Sequence, residues 1–348
     1  MKKALLIVFV FSLASLVSAQ EYLDVTKDRP LRLPEAFYYS KDYRVQWWYF
    51  TGHLYDENKR EFGYELTFFA VNVQQRAYKS RFGVNTIYIS HFAITDVQGD
   101  KFFFSDKSDS GAYGFAGAEG GRLHFWIDKN ALDGSISRMH VVASDGEKAI
   151  DLQLIASKPV VLNGEKGYSR KSEESPLMAS YYFSYTDMET KGKLTLGGRV
   201  FEVSGKSWFD REISTKKLGE KLAGWDWFAL QLDDGREIML YSLRRKDSAD
   251  DPYSSGTVVY PDGSSRHLLK DDFIVSVLGH YKSARTGARY PSKWQLRVPS
   301  ERIAVTVSPL VKDQEALAQN STGNYYWEGT CGIDGSARGR AYVELTGY

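Results

Sequence analysis

Trp225-Asp226-Trp227-Phe228-Ala229-Leu230-Gln231-Leu232, followed by Asp233-Asp234-Gly235 and then by Arg236 to Arg244, is the stretch on which the fold turns. Two apolar runs flank a turn that carries Asp-Gly, a pair that tolerates the positive φ angles of a tight hairpin. Successive strand side chains point to opposite faces, so Phe228, Leu230 and Leu232 share one side, and Trp225 and Trp227 share the other. The same alternation governs Phe62-Gly63-Tyr64-Glu65-Leu66-Thr67-Phe68, where Phe62, Tyr64, Leu66 and Phe68 form an apolar face and Glu65 and Thr67 point away. If Glu65 faced a barrel lumen, that lumen would contain polar groups, as ligand sites do.

Outward from these runs the pattern repeats. Val45 to Leu54 and Glu61 to Val73 bracket a polar turn, as do Arg138 to Ala143 and Ala149 to Ser157. Thr86 to Thr95 with Lys101 to Ser105, and Gly256 to Tyr260 with Ser265 to Leu269, follow the same logic. Lys293 to Val298, Arg302 to Ser308, Tyr325 to Ile333 and Gly339 to Gly347 complete the series. No stretch of about 12 residues keeps the 3.6-residue period of an amphipathic helix. With 8 Trp, 23 Tyr and 19 Phe, 14% of the chain is aromatic, which suits half-buried pleated surfaces. The expected fold class is all-β: two lipocalin-like antiparallel β-barrel domains in tandem. The 163–175 stretch and the glycine-rich 114–120 stretch read as loops.

Lys2 and Lys3, the apolar run Ala4 to Val17 and the small residues of Val17-Ser18-Ala19 form a signal-peptide pattern, too short for a membrane span. Cleavage after Ala19 leaves 329 residues without a transmembrane anchor and implies a periplasmic or secreted protein. That length exceeds one ordinary core, so the organisation expected is a signal peptide over 1–19, an N-terminal domain over 20–213 and a C-terminal domain over 214–348. The lone Cys331 cannot form an internal disulfide and reads as a small buried side chain. The formal charge moves from +1 to −1 on cleavage, with no dense basic stripe, which argues against nucleic acid as a partner.

Familiar catalytic signatures are missing. Gly205-Lys206-Ser207-Trp208-Phe209 lacks the final glycine of a nucleophile elbow. His53, His91, His124, His140, His267 and His280 form no metal-binding pair, so no metal or cofactor is expected. What remains are aromatic clusters with embedded polar groups. They are Gln46-Trp47-Trp48-Tyr49-Phe50-Thr51-Gly52-His53, Ser90-His91-Phe92-Ala93-Ile94-Thr95-Asp96, Gly205 to Glu212, Gly224 to Phe228, and Tyr325-Tyr326-Trp327-Glu328-Gly329. Trp47 and Trp48 cannot both line one interior, so one of them lies outside the barrel, where the other domain is a candidate neighbour.

These segments, with Phe62 to Phe69 and the ending Tyr342-Val343-Glu344-Leu345-Thr346-Gly347-Tyr348, resemble the carotenoid 1,2-hydratase (hydroxyneurosporene synthase, CrtC) family and its secreted AttH-like branch. The resemblance runs along nearly all the mature chain. It implies two lipocalin-like domains with a ligand cavity at or near their interface, and a hydratase or hydrolase chemistry in some members. Secreted relatives are often encoded beside ABC-transporter permeases, so such a permease is a candidate partner. The chain departs from the family pattern at Gln46, where Glu is common, and at Ala70, where Arg often stands.

Asp210, in Trp208-Phe209-Asp210-Arg211-Glu212, matches the family's proposed acid. Protonating an alkene needs a carboxyl that keeps its proton near neutral pH, and burial among aromatics favours that state. The competing reading places Asp210 in a salt-bridge network with Arg211 and Glu212 at the domain junction. Trp208, Trp225, Trp227, Tyr64, His53, His91 and Glu65 are the candidate ligand-binding residues, although an imidazole inside a strand pattern, as at His53 and His91, is more often a satisfied inter-strand hydrogen-bonder than a base. Glu328 and Asp226, set among aromatics, need partners, with Arg211 and Arg244 as candidates. Two functions stand. The first, favoured by the aromatic load, is an exported protein that binds a hydrophobic small molecule or lipid, with an accessory role to an ABC exporter as one form of it. The alternative is an acid-catalysed hydratase or hydrolase of an apolar unsaturated or ester substrate, with Asp210 as general acid.

Overall fold

The computed structural model describes residues 22–73, 83–215, 219–247 and 249–348. The signal-peptide segment and Lys216-Lys217 of the expected junction lie outside them. Among the described residues the regular structure is antiparallel strand with a few 3₁₀ turns, and no helix is long and apolar enough to cross a membrane.

Two curled sheets form the molecule, one a nearly closed barrel and one a half-barrel, in a lipocalin-like two-domain arrangement. The first sheet runs from Lys101–Asp109 through Thr86–Asp96, Glu61–Asn72 and Val45–Tyr55 to the long hairpin Arg199–Ser214 and Ala179–Leu196. It continues through Lys148–Ala156, Arg138–Asp145, Asn130–Ser135 and Leu123–Ile127 to Ala116–Ala118. Its two ends approach each other: Lys107 reaches Asp128 at 2.7 Å, and Asn130 donates to Ser90 at 3.0 Å. The second sheet runs from Ser265–Leu268 through Ser255–Val259, Glu237–Arg245, Leu222–Leu232, Gly339–Leu345, Asn324–Gly335, Ile303–Pro309 and Arg289–Val298 to Ile274–Lys282.

Most of the strand runs read from the sequence are present within one to three residues at the ends. The long hairpin 179–214 was the main omission, because its polar positions break the alternation. The 163–175 stretch is not a free loop: Val161–Leu162 and Tyr168–Arg170 pair with the Ala179–Leu196 strand. Ala116–Ala118 likewise adds a short edge strand within 114–120.

Both barrel interiors are filled with side chains. Trp48, Phe50, Phe62, Tyr64, Leu66 and Phe68 pack in the first core, and Phe228, Leu230, Trp294 and Trp327 pack in the second with buried Cys331. Glu65 therefore does not face a lumen; its strand turns it outward. The outward faces of the two sheets meet, and Tyr49, Tyr182, Trp208, Trp227, Tyr241 and Tyr342 form a third apolar cluster between the domains, with Trp47 and Trp225 at its margin. This explains the strand Val45–Tyr55, which is buried on both faces along most of its length. Trp48 points into the barrel and Trp47 toward the partner domain. The approach is close: a Cβ built on Gly63 would lie 2.9 Å from Thr330.

Candidate functional site

Carboxyl groups collect on the seam between the sheets. Asp210 comes from Arg199–Ser214, Glu65 from Glu61–Asn72, and Glu328 and Glu344 from paired strands of the second domain, where they stand in direct register. Each occupies the outward face of its sheet, and docking the faces buries Asp210, Glu65 and Glu328 and leaves Glu344 half-buried at the margin.

Asp210 is 4% exposed. Tyr182 donates its hydroxyl to Oδ2 at 2.5 Å, while Ser184 and the Trp208 indole N–H reach Oδ1 at 2.5 and 2.6 Å. The Trp227 indole donates to the Tyr182 hydroxyl at 3.1 Å, and the Trp208 and Trp227 rings meet edge to face at 6.1 Å. Burial pushes the Asp210 carboxyl up to about 7, outweighing the three donors that favour its ionised form.

The salt-bridge partners proposed from the sequence lie elsewhere. Arg211 turns the opposite way, sits 3.9 Å over the Trp48 ring, and donates to Gln46 and to the carbonyls of Ala36, Tyr38 and Trp47. Gln46 is thus an uncharged acceptor for a buried guanidinium. Glu212 pairs with Lys171 at 3.0 Å. No ion pair to Asp210 occurs among the described residues.

The remaining carboxyls are equally short of cations. Glu65 takes a hydrogen bond from Thr67 on Oε1, and its buried Oε2 has no partner. Glu328 accepts from the Tyr49 hydroxyl, and Glu344 from the Trp225 indole at 3.2 Å. Burial first, and then the neighbouring carboxyls, hold Glu328 and Glu344 above the ordinary range; burial raises Glu65, with Glu344 adding to it. A cavity of about 10 Å³, near the lower limit for one water molecule, lies between Thr51, His53, Trp208, Gln231 and Tyr342. The Tyr342 hydroxyl is buried without a hydrogen-bond partner.

Of the residues singled out from sequence, Asp210, Trp208, Trp225, Trp227 and Glu65 gather on this seam. His53 and His91 are cross-domain hydrogen-bonders, meeting Thr330 at 2.9 Å and Tyr326 at 2.7 Å. Tyr64 lies inside the first barrel, bonded to Ser207 at 2.7 Å. Asp226 finds the expected Arg244 at 2.8 Å, with Tyr348 beside it. Tyr49, Tyr182, Lys171 and Glu344 also belong to the site, though nothing local in the sequence marks them for it. Glu344 lay within a quoted stretch, but its register with Glu328 depends on strand pairing. No group of metal ligands occurs among the described residues.

The AttH-like family model matches residues 24–348. The chain belongs to the AttH-like family. A protein assigned as AttH from Nitrosomonas europaea has a crystal structure similar to this AttH-like chain, with TM-score 0.85 and 29% identity, covering 94% of this chain and 99% of that one. Kievitone hydratase from Nectria haematococca shares the fold, with TM-score 0.71 and 14% identity over 94% of this chain and 96% of the other. No curated protein matches the AttH-like chain.

Proposed function

We propose that the protein is a hydratase that protonates a carbon–carbon double bond of an apolar substrate, with Asp210 as the acid. The observation that carries this reading is a buried carboxyl with three hydrogen-bond donors, no cationic partner among the described residues and a proton affinity near neutrality. In the proposed step the Asp210 O–H bond breaks and its proton forms a new C–H bond while the π bond opens. The adjacent carbon becomes a cation, which the faces of Trp208 and Trp227 stabilise through their quadrupoles. Water then adds through oxygen, and its surplus proton returns to the Asp210 carboxylate, so the acid is regenerated. The resemblance to carotenoid 1,2-hydratases and the hydratase named among proteins of the same fold support this chemistry.

The binding-protein reading, drawn from the aromatic load and the export signal, has less support, because a protein of the same fold carries a hydratase's name. Export through the N-terminal signal would put the reaction outside the cytoplasm. The test is incubation of the purified protein with an acyclic isoprenoid in ¹⁸O-water. The proposal expects a tertiary alcohol carrying ¹⁸O, formed by the parent and lost in Asp210→Asn. Equal labelled product from a folded Asp210→Asn variant would refute the assignment.

A further inference from the structure

Beside the acid cluster, a cleft of about 550 Å³ opens between the two domains. One wall is the 164–170 hairpin of the first domain, and the other is formed by residues 252–255 with His267 and Leu269 of the second. Its chemistry is specific. Tyr168, Tyr241 and Tyr253 supply flat faces, and Leu177 and Leu269 extend the apolar surface toward the mouth.

Arg170 supplies the charge. Its guanidinium stacks 3.8 Å from the Tyr253 ring centroid. Nε donates to the Ser172 carbonyl, Nη2 to the Glu173 carbonyl and Nη1 to the Tyr253 hydroxyl. Those bonds use three of its five N–H groups, leaving two. Among the described residues no carboxylate pairs with Arg170, whereas Lys27, also at the cleft, is neutralised by Glu165; Asp28 lies with them in the lining. His267 adds a buried Nδ1 that has no hydrogen-bond partner. The bonds to Ser172 and Glu173 fix the guanidinium in place, so an arriving anion meets a cation already ordered.

We infer that this cleft binds an aromatic carboxylic acid, its ring held among the tyrosines and its carboxylate on the free edge of Arg170. The guanidinium fork matches a carboxylate, and an aromatic ring matches flat walls better than a saturated chain does. The hairpin that forms the first wall also holds the acid site at both of its ends. Asn163 donates to Ser184, the donor to Asp210, at 2.8 Å, and Lys171 pairs with Glu212. Asn163 is itself held from the second domain by Thr257 at 2.8 Å, and Thr257 is the cross-strand partner of His267. A bound acid would therefore press on the elements that position Asp210. The inference itself does not require that Asp210 perform hydration.

The test uses the full mature chain and the fluorescent anion 8-anilinonaphthalene-1-sulfonate, displaced by 4-phenylbenzoate or by its uncharged methyl ester. Saturable 1:1 binding is expected, with displacement by the acid and little by the ester. Arg170→Met should weaken the acid about tenfold or more. Leu269→Trp, a change at a residue 64% exposed, should block the mouth without touching the core. Asp210→Asn should bind the acid as the parent does, which separates this site from the proposed reaction. Absence of saturable binding, equal displacement by ester and acid, or unchanged affinity in folded Arg170→Met and Leu269→Trp proteins would each overturn the inference.

Discussion

Glu328 and Glu344 stand opposite one another on adjacent strands of the second domain, and neither is paired with a cation among the described residues. Like charges in direct register repel, and the first domain covers them, so the pair holds protons that an exposed pair would release.

That proton affinity makes stability depend on pH. Both groups are raised in the folded state, so between the ordinary glutamate range and their folded values the native protein binds more protons than the unfolded chain. Stability is fullest below the ordinary range and is lost as pH rises. The melting temperature is expected to fall between pH 5 and pH 8. Glu344→Gln should flatten that fall and raise the melting temperature at pH 8 by about 3 °C. Scanning calorimetry across this range checks it, and an unchanged slope in the variant would show that the seam carboxyls are ionised throughout.

The acid role of Asp210 predicts a pH–rate profile as well as a loss of turnover. Activity requires the protonated carboxyl, whose folded value is about 7, so the rate should decline above that pH. Removal of the acid in Asp210→Asn is expected to cost about 10²–10⁴ in kcat. The Tyr182 hydrogen bond favours the ionised form, so Tyr182→Phe should move the decline to higher pH. A purely structural role for Tyr182 would lower stability and leave the profile in place.

Lys171 lies 4.8 Å from the Tyr182 ring and 4.4 Å from the Tyr241 ring, and it pairs with the buried Glu212. Lys171→Met strands that carboxylate and should destabilise the protein by about 3–5 kcal/mol. Denaturant unfolding measures it. The double variant Lys171→Met/Glu212→Leu should recover most of the loss, since the cost arises from an uncompensated charge.

At Gly63 the two domains touch too closely for a side chain. Gly63→Val should wedge the seam apart at Thr330 while leaving the first barrel intact. Increased hydrogen exchange in the 324–335 strand and a downward shift of the Asp210-dependent profile, as water enters, are the expected readouts. Unaltered exchange there would mean that the seam yields without opening.

Much of the architecture was readable because strand alternation and turn chemistry are local. The Asp233-Asp234-Gly235 turn and the alternation of 62–68 specify hairpins without reference to anything distant. The division of Trp47 from Trp48 followed from the two-residue period alone. The 179–214 hairpin escaped because its outward face carries Tyr182, Ser184, Asp210 and Glu212, polar groups that read as exposed until a second domain covers them. Of the site, Asp210 with its flanking Trp208 stood out through the family resemblance, and Trp225, Trp227 and Glu65 through strand alternation, whereas Tyr182, Lys171 and the Glu328–Glu344 register did not.

The sequence by itself determined an all-β chain with two sets of hairpins, apolar on the faces that fill the barrels. Tertiary structure decided that the opposite faces would close on each other, bringing positions 65, 210 and 328, with 344 at the margin, onto one seam. The physical reason is range. Strand formation depends on neighbours a few residues away, whereas the proton affinity of a carboxyl depends on whatever displaces its water, and here that is another domain.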